Sequence, residues 1–258
     1  MSRGILAVGA YAPRNRVPAE AFEAAWGRFE AAGIERTAVP DADEDALTMG
    51  AEAARRALSA DGVEGAALSS LSFASTTPPL AEADLTARLG SYLGADPAAA
   101  RRTYGGHTRA GLDAVLDAVD RDGLALVVAA DCPRGEPDDA REHAAGAGAA
   151  ALLVGDDAPA TVTDRASAAD PHPGTRFRRQ GNDRVEGLDA GRYDRAAFVE
   201  PITAAVDRVD ADGLDAVALQ APDGKLPYRT GLDGEAIAAV ETVSELGEIG
   251  RASCRERV

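Results

Sequence analysis

Hydrophobic positions recur along the chain with two periods, one typical of buried strands and one typical of helices with a single apolar face. Apolar runs at 4–10, 68–74, 124–130 and at the end of 143–155 predict buried strands. Helical spacing follows most of these runs, and strands that alternate with helices predict an α/β fold with a mostly parallel sheet. Helices are predicted over 18–32, ended by Gly33, and over 46–58, 81–93, 193–209 and 234–243, with one more strand at 214–219.

The stretch 101–119 is the segment around which these elements are organised. A polar segment leads into Gly105 and Gly106 and then into a predicted amphipathic helix. A tight turn at the start of a helix can hold a nucleophile beside backbone N–H groups, but here the turn contains glycine instead of cysteine or serine. The predicted apolar face of the helix holds Leu112, Val115, Leu116 and Val119, and its solvent face holds Asp113, Asp117 and Asp120.

Composition and charge exclude several classes of function. The 258 residues are 45% hydrophobic and only 4% aromatic, so alanine, valine and leucine are expected to fill the core. With 43 acidic against 27 basic residues and a net charge of −16, the surface is unsuited to nucleic acid and predicts adaptation to molar salt. No apolar run reaches the roughly 18 residues of a membrane span, and no secretory signal is recognised. We therefore expect a cytoplasmic protein.

The last ten residues, 249–258, differ in character from the rest of the chain. They read IGRASCRERV, with three arginines in an otherwise acidic sequence, and resemble a sequencing-adapter sequence read in frame. We therefore expect the natural sequence to stop near Glu248 as a truncated protein, with Cys254 an artefact. Cys132 would then be the one native cysteine, which permits neither an internal disulfide nor a cysteine-based zinc site.

Six segments, taken in order, match the pattern of one family: GILAVGAYAPRNRV, LSFASTTPP, GGHTRAGLDA, LVVAAD, AGAGAAALLVG and QAPDGKLP. On these segments the chain resembles the thiolase superfamily, in its branch of hydroxymethylglutaryl-CoA synthases and ketoacyl synthase III. The resemblance covers residues 3–248 and implies a thiolase-like layered αβαβα fold whose second half is incomplete. It implies an N-terminal half over 1–165 and the start of a C-terminal half over 166–248.

The resemblance also implies where a catalytic site should lie. The family's condensing reaction uses a cysteine nucleophile, a glutamate general acid and base, and a histidine that binds the second acyl-CoA. These positions fall on Gly105, Thr76 and Gln220, so all three chemical groups are absent. Lys225, the only lysine, stands at the family's spacing for a contact with CoA phosphates, which suits a compact ammonium. The alternative for Lys225 is a solvated loop residue.

Other candidates have a structural alternative beside the functional one. Cys132 could replace the missing nucleophile, with His107 or His143 as its base, or it could be an inert packing residue. His107 could line the pocket or belong to the helix cap, and Tyr104 and Thr108 are candidates for the pocket wall. Gly146 and Gly148 would let backbones approach closely, and the cluster Arg176, Phe177, Arg178 and Arg179 could meet CoA phosphates or pair with the acidic surface.

Two functions of different kinds follow from the resemblance. One is an acyltransferase that condenses acetyl-CoA with acetoacetyl-CoA in isoprenoid precursor synthesis. The other is a non-catalytic relative that binds CoA thioesters or serves as a scaffold subunit, and an acyl-CoA reaction that needs no covalent cysteine lies between them. We favour an atypical member with a lost or altered condensing site, a candidate pseudoenzyme. We expect acyl-CoA as its ligand, no covalent cofactor, no metal, and a homodimer or thiolase-containing complex for the whole protein.

Overall fold

The structure is a computed structural model that describes residues 3–169, 176–182, 184–187, 195–209, 214–219, 226–233, 237–238 and 248–249. Its helices are α1 Ala19–Trp26, α2 Ala46–Asp61, α3 Leu85–Leu93, α4 Ala110–Val119, α5 Ala140–Ala144 and α6 Glu200–Val206, the last preceded by a π-helical stretch, Arg195–Val199. The longer strands are β1 Arg3–Tyr11, β2 Asn15–Pro18, β3 Arg36–Val39, β4 Ser70–Ser75, β5 Ala100–Gly105, β6 Ala125–Asp131 and β8 Gly148–Asp156. Two-residue strands are β7 Ala145–Gly146, β9 Ala160–Thr161, β10 Arg176–Phe177, β11 Glu186–Gly187, β12 Val217–Ala218, β13 Ile237–Ala238 and β14 Glu248–Ile249.

The centre of the fold is a six-stranded mixed sheet with the order β5-β4-β6-β8-β1-β9. Strand β4 pairs in parallel with β5 and β6, whereas β8 runs antiparallel to both β6 and β1. The prediction of a mostly parallel sheet was therefore wrong for the half that contains β8. Strand β8 follows β6 through a short connection that carries only α5 and β7, so the chain returns in the opposite direction beside β6.

Helices cover both faces of this sheet, and strand β6 shows how the sequence divides between them. Leu126, Val128 and Ala130 pack into the core beneath α2 and α3, whereas the residues that alternate with them pack beneath α4. All seven residues of β6 are buried, as its continuous apolar run predicted. Alanine supplies more than half of the buried apolar side chains of the described residues, in agreement with the composition.

Helix α2 is the longest helix described, and local signals fix both of its ends. The Asp45 side chain accepts a hydrogen bond from the Thr48 backbone N–H, and the Thr48 hydroxyl accepts one from the Asp45 backbone N–H. This reciprocal capping box satisfies donors that the first helical turn leaves unpaired. Gly62 ends the helix in the left-handed region at φ 67°, where glycine is favoured because it has no Cβ. The helix predicted over 46–58 is therefore present and extends three residues further, to Asp61.

Helix α4 turns a different face to the sheet from the one that the sequence pattern indicated. Its buried side chains are Ala110, Ala114 and Ala118, whereas Leu112 is 55% exposed. The predicted apolar face was therefore wrong for Leu112. Leu116 is half-buried, and Val115 and Val119 are half-buried and pack against the core cluster beneath the helix. Small side chains let a helix approach a sheet closely, so size outweighs hydrophobicity in choosing the buried face here.

Other predicted helices are shorter than their sequence patterns or are replaced. Helix α1 ends at Trp26 instead of residue 32, because Gly27 adopts a left-handed conformation at φ 75° and caps it. Helix α3 begins only at Leu85, where the Asp84 carboxylate caps the backbone N–H groups of the first turn. Within the predicted helix 234–243, the described residues Ile237–Ala238 form β13 and pair in parallel with β12. No helix in the described part of the chain is long and apolar enough to cross a membrane.

The packing of β1 against α2 makes a specific prediction about Gly9. A Cβ atom built on Gly9 would lie 2.0 Å from the backbone carbonyl oxygen of Ala53 in α2. Because backbone cannot yield as a flexible side chain can, Gly9→Ala should lower the free energy of unfolding by about 3 kcal/mol. Urea unfolding followed by circular dichroism measures this. The neighbouring exposed Ala10→Ser should change it by less than about 0.5 kcal/mol, and equal losses from both changes would contradict the packing argument.

Candidate functional site

The carboxyl ends of β4 and β5 and the loop after β6 meet around a cavity, which we take as the candidate site. The cavity has a volume of about 380 Å³. It brings together Thr76 and Gly105, two of the positions that the family resemblance implied, with His107 beside them. Its walls are formed by Phe73, Ser75, Thr76, Thr77, Pro78, Thr103, Tyr104, Gly105, Gly106, His107, Thr108, Pro133, Phe177, Arg178 and Val185.

A buried carboxylate behind the cavity holds one of its walls in place. Asp131, the last residue of β6, is 0% exposed. Its Oδ1 atom accepts hydrogen bonds from the Ser75 hydroxyl at 3.0 Å and from the backbone N–H groups of Thr76 and Thr77 at 2.6 and 2.9 Å. The hydroxyls of both threonines also donate to it, each at 3.0 Å. The end of β4 is thus tied to the end of β6.

The environment of Asp131 changes its affinity for protons. Burial raises the pKa of this carboxyl, and the hydrogen bonds from Thr76, Thr77 and Ser75 oppose that rise. The net direction is upward, so the folded protein holds the Asp131 proton more tightly than the unfolded chain does. Ionising this carboxyl with rising pH therefore lowers the stability of the fold.

The turn between β5 and α4 forms the floor of the cavity. Gly105 ends β5, and Gly106 has φ 77°, a left-handed conformation that favours glycine. A Cβ atom on Gly105 would lie 3.1 Å from the carbonyl oxygen of Ser75, a close contact that a shift of a few tenths of an ångström would relieve. A side chain at position 105 would therefore project beside the wall that Asp131 holds.

His107 lies three residues before the start of α4 and lines the same cavity. Its imidazole is half exposed, and its Nε2 atom lies 3.8 Å from Oδ2 of Asp113. Asp113 also accepts a hydrogen bond from the Arg109 guanidinium at 2.9 Å. The structure thus places His107 in the cavity wall, with a carboxylate near one ring nitrogen. Thr108, the next residue along, lines the cavity as well.

Tyr104 lines the cavity next to Gly105 and is anchored to helix α4. Its hydroxyl donates a hydrogen bond to the Asp117 carboxylate, which also pairs with Arg121 and Arg102. Burial, together with the hydrogen bond to Asp117, raises the pKa of Tyr104 to about 12. The phenol is therefore protonated at neutral pH and acts as a hydrogen-bond donor, which rules it out as a base there.

Within the predicted basic cluster, the guanidinium of Arg178 lies at the cavity. Phe177 and Arg178 line it, and the Arg178 guanidinium donates a hydrogen bond to the carbonyl oxygen of Thr76. Arg179 instead points away to Glu186, with its Nε atom 2.9 Å from that carboxylate, and is 71% exposed. The structure thus separates two neighbouring arginines into one cavity residue and one surface residue.

Cys132 does not line the cavity. Its backbone N–H donates to the Thr77 hydroxyl at 2.7 Å, and its side chain packs against the core beneath α2. Burial raises the pKa of the thiol, which the nearby Arg134 only partly offsets. Among the described residues no hydrogen bond joins Cys132 to His107 or His143. These observations favour the packing alternative for Cys132, because a reactive cysteine needs an accessible thiolate.

His143 is fully buried among aromatic rings, away from the candidate site. It packs against Phe22, Trp26 and Phe29 at centroid distances of 5.0 to 6.0 Å. Its Nδ1 atom accepts a hydrogen bond from the Glu30 backbone N–H at 3.2 Å. These ring contacts indicate a structural role for His143, which holds α1 against the segment that follows β6.

Gly146 and Gly148 are buried backbone positions in β7 and β8. Gly148 pairs with Asp131 across the sheet, so it supports the residue that holds the cavity wall without lining the cavity. Gln220 and Lys225 lie outside the described residues. Within the described ranges, no group of three or more histidine, cysteine or acidic side chains is placed to hold a metal ion.

Asp131 is the site residue that the sequence analysis missed. The sequence shows an acidic residue directly after the six apolar positions of β6. A carboxylate at such a buried position needs hydrogen-bond partners, which could have identified Asp131 as a candidate. The triplet Ser75, Thr76 and Thr77 offered those donors at the end of the neighbouring strand. Connecting Asp131 with these donors requires knowing that β4 pairs with β6, which the sequence alone does not show.

Comparisons with known proteins give relatives of one kind, although no family model matches the chain. A hydroxymethylglutaryl-CoA synthase of Thermococcus gammatolerans is 36% identical over 164 residues, which cover 62% of this chain and 47% of that protein. One of Thermoplasma acidophilum is 29% identical over 242 residues, covering 88% of this chain and 69% of that protein. The chain thus spans about half the length of the curated Thermococcus relatives that it matches.

Solved structures share the fold at low sequence identity. A hydroxymethylglutaryl-CoA synthase complexed with CoA superposes with a TM-score of 0.82 at 18% identity, covering 98% of this chain and 73% of that one. A 3-oxoacyl-(acyl carrier protein) synthase III from Pseudomonas aeruginosa gives a TM-score of 0.81 at 14% identity, with 98% and 87% covered. The expectation of an α/β thiolase-like fold is confirmed.

The Asp131 network predicts a large difference between two substitutions. Asp131→Ala leaves several buried donors without an acceptor, so it should lower the free energy of unfolding by about 3 kcal/mol or more. Asp131→Asn keeps an acceptor oxygen and should cost less. Urea unfolding of both variants measures the difference, and a cost for Asn equal to that for Ala would contradict the role of the acceptor.

The same residue predicts a dependence of stability on pH. Because the Asp131 pKa is raised in the folded state, the native protein should lose stability relative to Asp131→Asn as pH rises from about 4 through the raised pKa. Below about pH 4 the difference between the two proteins should be constant. Urea midpoints taken across this range measure it, and a difference that grows in favour of the native protein would overturn the assigned direction.

Proposed function

We propose that this chain is a member of the thiolase superfamily, in the branch of hydroxymethylglutaryl-CoA synthases and ketoacyl synthase III, and that it binds CoA thioesters at the cavity above Gly105. In this proposal the chain is a hydroxymethylglutaryl-CoA synthase-like protein with a lost or altered condensing site. The observation that carries the proposal is a formed cavity whose floor, at the position expected for the nucleophile, is glycine.

The relatives and the cavity support CoA thioesters as the ligand. The curated relatives are named hydroxymethylglutaryl-CoA synthases, and solved proteins of the same fold are described in complex with CoA and with 3-hydroxy-3-methylglutaryl coenzyme A. A cavity of about 380 Å³ lies in the usual size range of small-ligand pockets. Lys225, the only lysine, is part of the proposal as a contact for CoA phosphates, and Lys225→Ala is expected to weaken CoA binding.

The side chains around the cavity argue against a covalent acyl-enzyme. Gly105 has no nucleophilic atom, and the Thr76 hydroxyl is engaged in a hydrogen bond that it donates to the Asp131 carboxylate. The Cys132 thiol lies outside the cavity with a raised pKa. Without a covalent nucleophile the acyl-enzyme intermediate cannot form, and substrate binding alone does not replace that step.

A condensing acyltransferase is the second candidate, favoured by the 36% identity to a named synthase. It would join acetyl-CoA to acetoacetyl-CoA for isoprenoid precursors, with a nucleophile other than one at position 105. A scaffold role in a homodimer or a thiolase-containing complex is compatible with CoA binding. It is supported by β5, which ends the sheet and pairs only with β4 in the described part of the chain.

Calorimetry combined with acyl labelling separates these candidates. The protein, held in molar KCl, is titrated with CoA and with acetyl-CoA, and a parallel sample is incubated with radiolabelled acetyl-CoA and precipitated. The proposal expects binding of acetyl-CoA without covalent label. Stable label that disappears in Cys132→Ala would favour the acyltransferase, and the absence of any CoA binding would overturn the proposal.

Restoring the missing thiol gives a direct prediction. Gly105→Cys should acquire covalent acetyl label that the native protein lacks, because a side chain at this position projects into the cavity with only a close contact to Ser75. Radiolabel per mole of precipitated protein measures it, in a Cys132→Ala background that removes the other described cysteine. Gly106→Cys is the matched control, since φ 77° disfavours a side chain there.

Equal label at positions 105 and 106 would indicate non-specific reaction of an exposed thiol. A Gly105→Cys protein that binds acetyl-CoA by calorimetry but remains unlabelled would show that the thioester does not lie over position 105.

A further inference from the structure

The segment that leads into α4 forms a histidine–carboxylate pair at the cavity. His107 lines the cavity, and its Nε2 atom lies 3.8 Å from Oδ2 of Asp113. This separation is that of an ion pair and is longer than a hydrogen bond. Half of the His107 imidazole is exposed, so water and a small ligand can reach the ring. The binding of a CoA thioester alone gives this pair no role.

Local hydrogen bonds hold both partners of the pair in place. The carbonyl oxygen of His107 accepts a hydrogen bond from the Ala110 backbone N–H at 3.3 Å, which closes the turn before the helix. Asp113 lies in the first turn of α4, and its Oδ1 atom accepts a hydrogen bond from Nε of Arg109 at 2.9 Å. One carboxylate oxygen of Asp113 therefore contacts Arg109, and the other lies near His107.

The carboxylate beside Nε2 determines which ring nitrogen of His107 accepts a proton. A neutral imidazole has one N–H donor and one acceptor nitrogen. Because Asp113 lies near Nε2, its negative charge favours the proton on that atom and leaves Nδ1 as the acceptor. A carboxylate in this position also stabilises the imidazolium that forms when the ring takes up a proton. His107 is thus equipped to act as a general base.

The lining of the cavity suits a reaction in which negative charge develops on the ligand. In the described part of the chain, none of the residues that line the cavity is aspartate or glutamate. Arg178 contributes a positive charge to the wall, where its Nη2 atom donates a hydrogen bond to the carbonyl oxygen of Thr76. A guanidinium has five N–H donors, so Arg178 keeps donors for an oxyanion formed in the cavity.

We infer that the cavity hydrolyses CoA thioesters, with His107 as the general base that activates a water molecule for direct attack on the thioester. This inference rests on the proposed function and deepens it, because it gives a reaction to a site that has no nucleophilic side chain at position 105. Glycine there leaves open the space beside the Ser75 carbonyl oxygen that a side chain would fill. A water molecule in that space lies next to a thioester bound above Gly105.

The reaction consumes only the thioester and water. The water oxygen forms a bond to the carbonyl carbon while His107 takes one proton from the water, and the carbonyl oxygen becomes an oxyanion next to Arg178. When the tetrahedral intermediate collapses, the C–S bond breaks and the imidazolium of His107 returns the proton to the sulfur that leaves. The products are the carboxylic acid and free CoA, and no acyl group is attached to the protein at any step.

Release of free CoA from acetyl-CoA measures this reaction. The full chain is assayed in molar KCl without acetoacetyl-CoA, and the thiol of the released CoA is detected with a thiol-reactive dye. The native protein is expected to turn over repeatedly without covalent label. His107→Gln should lower kcat by about 100-fold or more, because a general base contributes a factor of that size, while KM stays within about threefold. Imidazole in solution should restore part of the rate to His107→Ala, which a misfolded variant would not allow.

Matched variants separate this mechanism from the alternatives. Cys132→Ala should keep the native kcat, because the Cys132 side chain packs against the core and not in the cavity. Asp113→Asn removes the positioning carboxylate and should lower kcat by at least about 10-fold with little change in KM. Asp120→Asn makes the same change at the end of α4, where the carboxylate pairs with Arg165 at 2.6 Å, and should leave both constants unchanged.

Three results would overturn the inference. A native protein that binds acetyl-CoA by calorimetry but releases no CoA would overturn it and leave the proposed function standing. Equal rates for the native protein and His107→Gln would remove His107 from the reaction. Covalent label together with a rate that is lost in Cys132→Ala would assign hydrolysis to an acyl-enzyme. A native protein that binds no CoA thioester would instead refute the proposed function itself, and the inference would fall with it.

Discussion

The carboxylate of Asp131 is the interaction on which the arrangement of the site depends. A buried carboxylate is tolerated in a protein interior only where hydrogen bonds replace its lost hydration. Here three consecutive residues, Ser75, Thr76 and Thr77, supply those bonds and are fixed by them. The peptide groups of this segment then have one orientation, which places the Thr76 carbonyl where the Arg178 guanidinium binds it. The hydrogen bonds of Asp131 thus determine the shape of the cavity, the rigidity of its wall and the position of the Arg178 charge.

The sequence predicted strands better than helices, for a physical reason. Runs such as that of β6 are apolar at every position and leave no choice of face, so the prediction needs only their length. A helix must choose a face, and α4 offers two. Hydrophobicity favoured the side of Leu112, but close approach to the sheet selected Ala114 and Ala118. Likewise, Gly27 ended α1 early, because its left-handed conformation depends on local geometry that periodicity does not report.

For the site, the family resemblance implied Thr76 and Gly105, and the structure brings both to one cavity with His107, since each lies at the end of a strand or just before a helix whose position the fold fixes. The contacts among them could not be read from the chain. The role of Asp131 requires knowing that β4 and β6 are neighbours, and the separation of Arg178 from Arg179 requires knowing that the first contacts Thr76 and the second Glu186. Single residues such as Cys132 kept a functional and a packing alternative at the level of the sequence, because burial and partners decide reactivity.

The abundance of alanine beneath the helices affects more than packing distance. An alanine side chain has no rotamers to lose on folding, and it removes little apolar surface from water. The heat capacity change of unfolding follows the apolar area that becomes exposed. A core built largely of alanine therefore gives a shallow curve of stability against temperature, with a broad maximum and a gradual decline on both sides. Such a protein changes its stability little between cool and warm surroundings, whatever ligand its cavity holds.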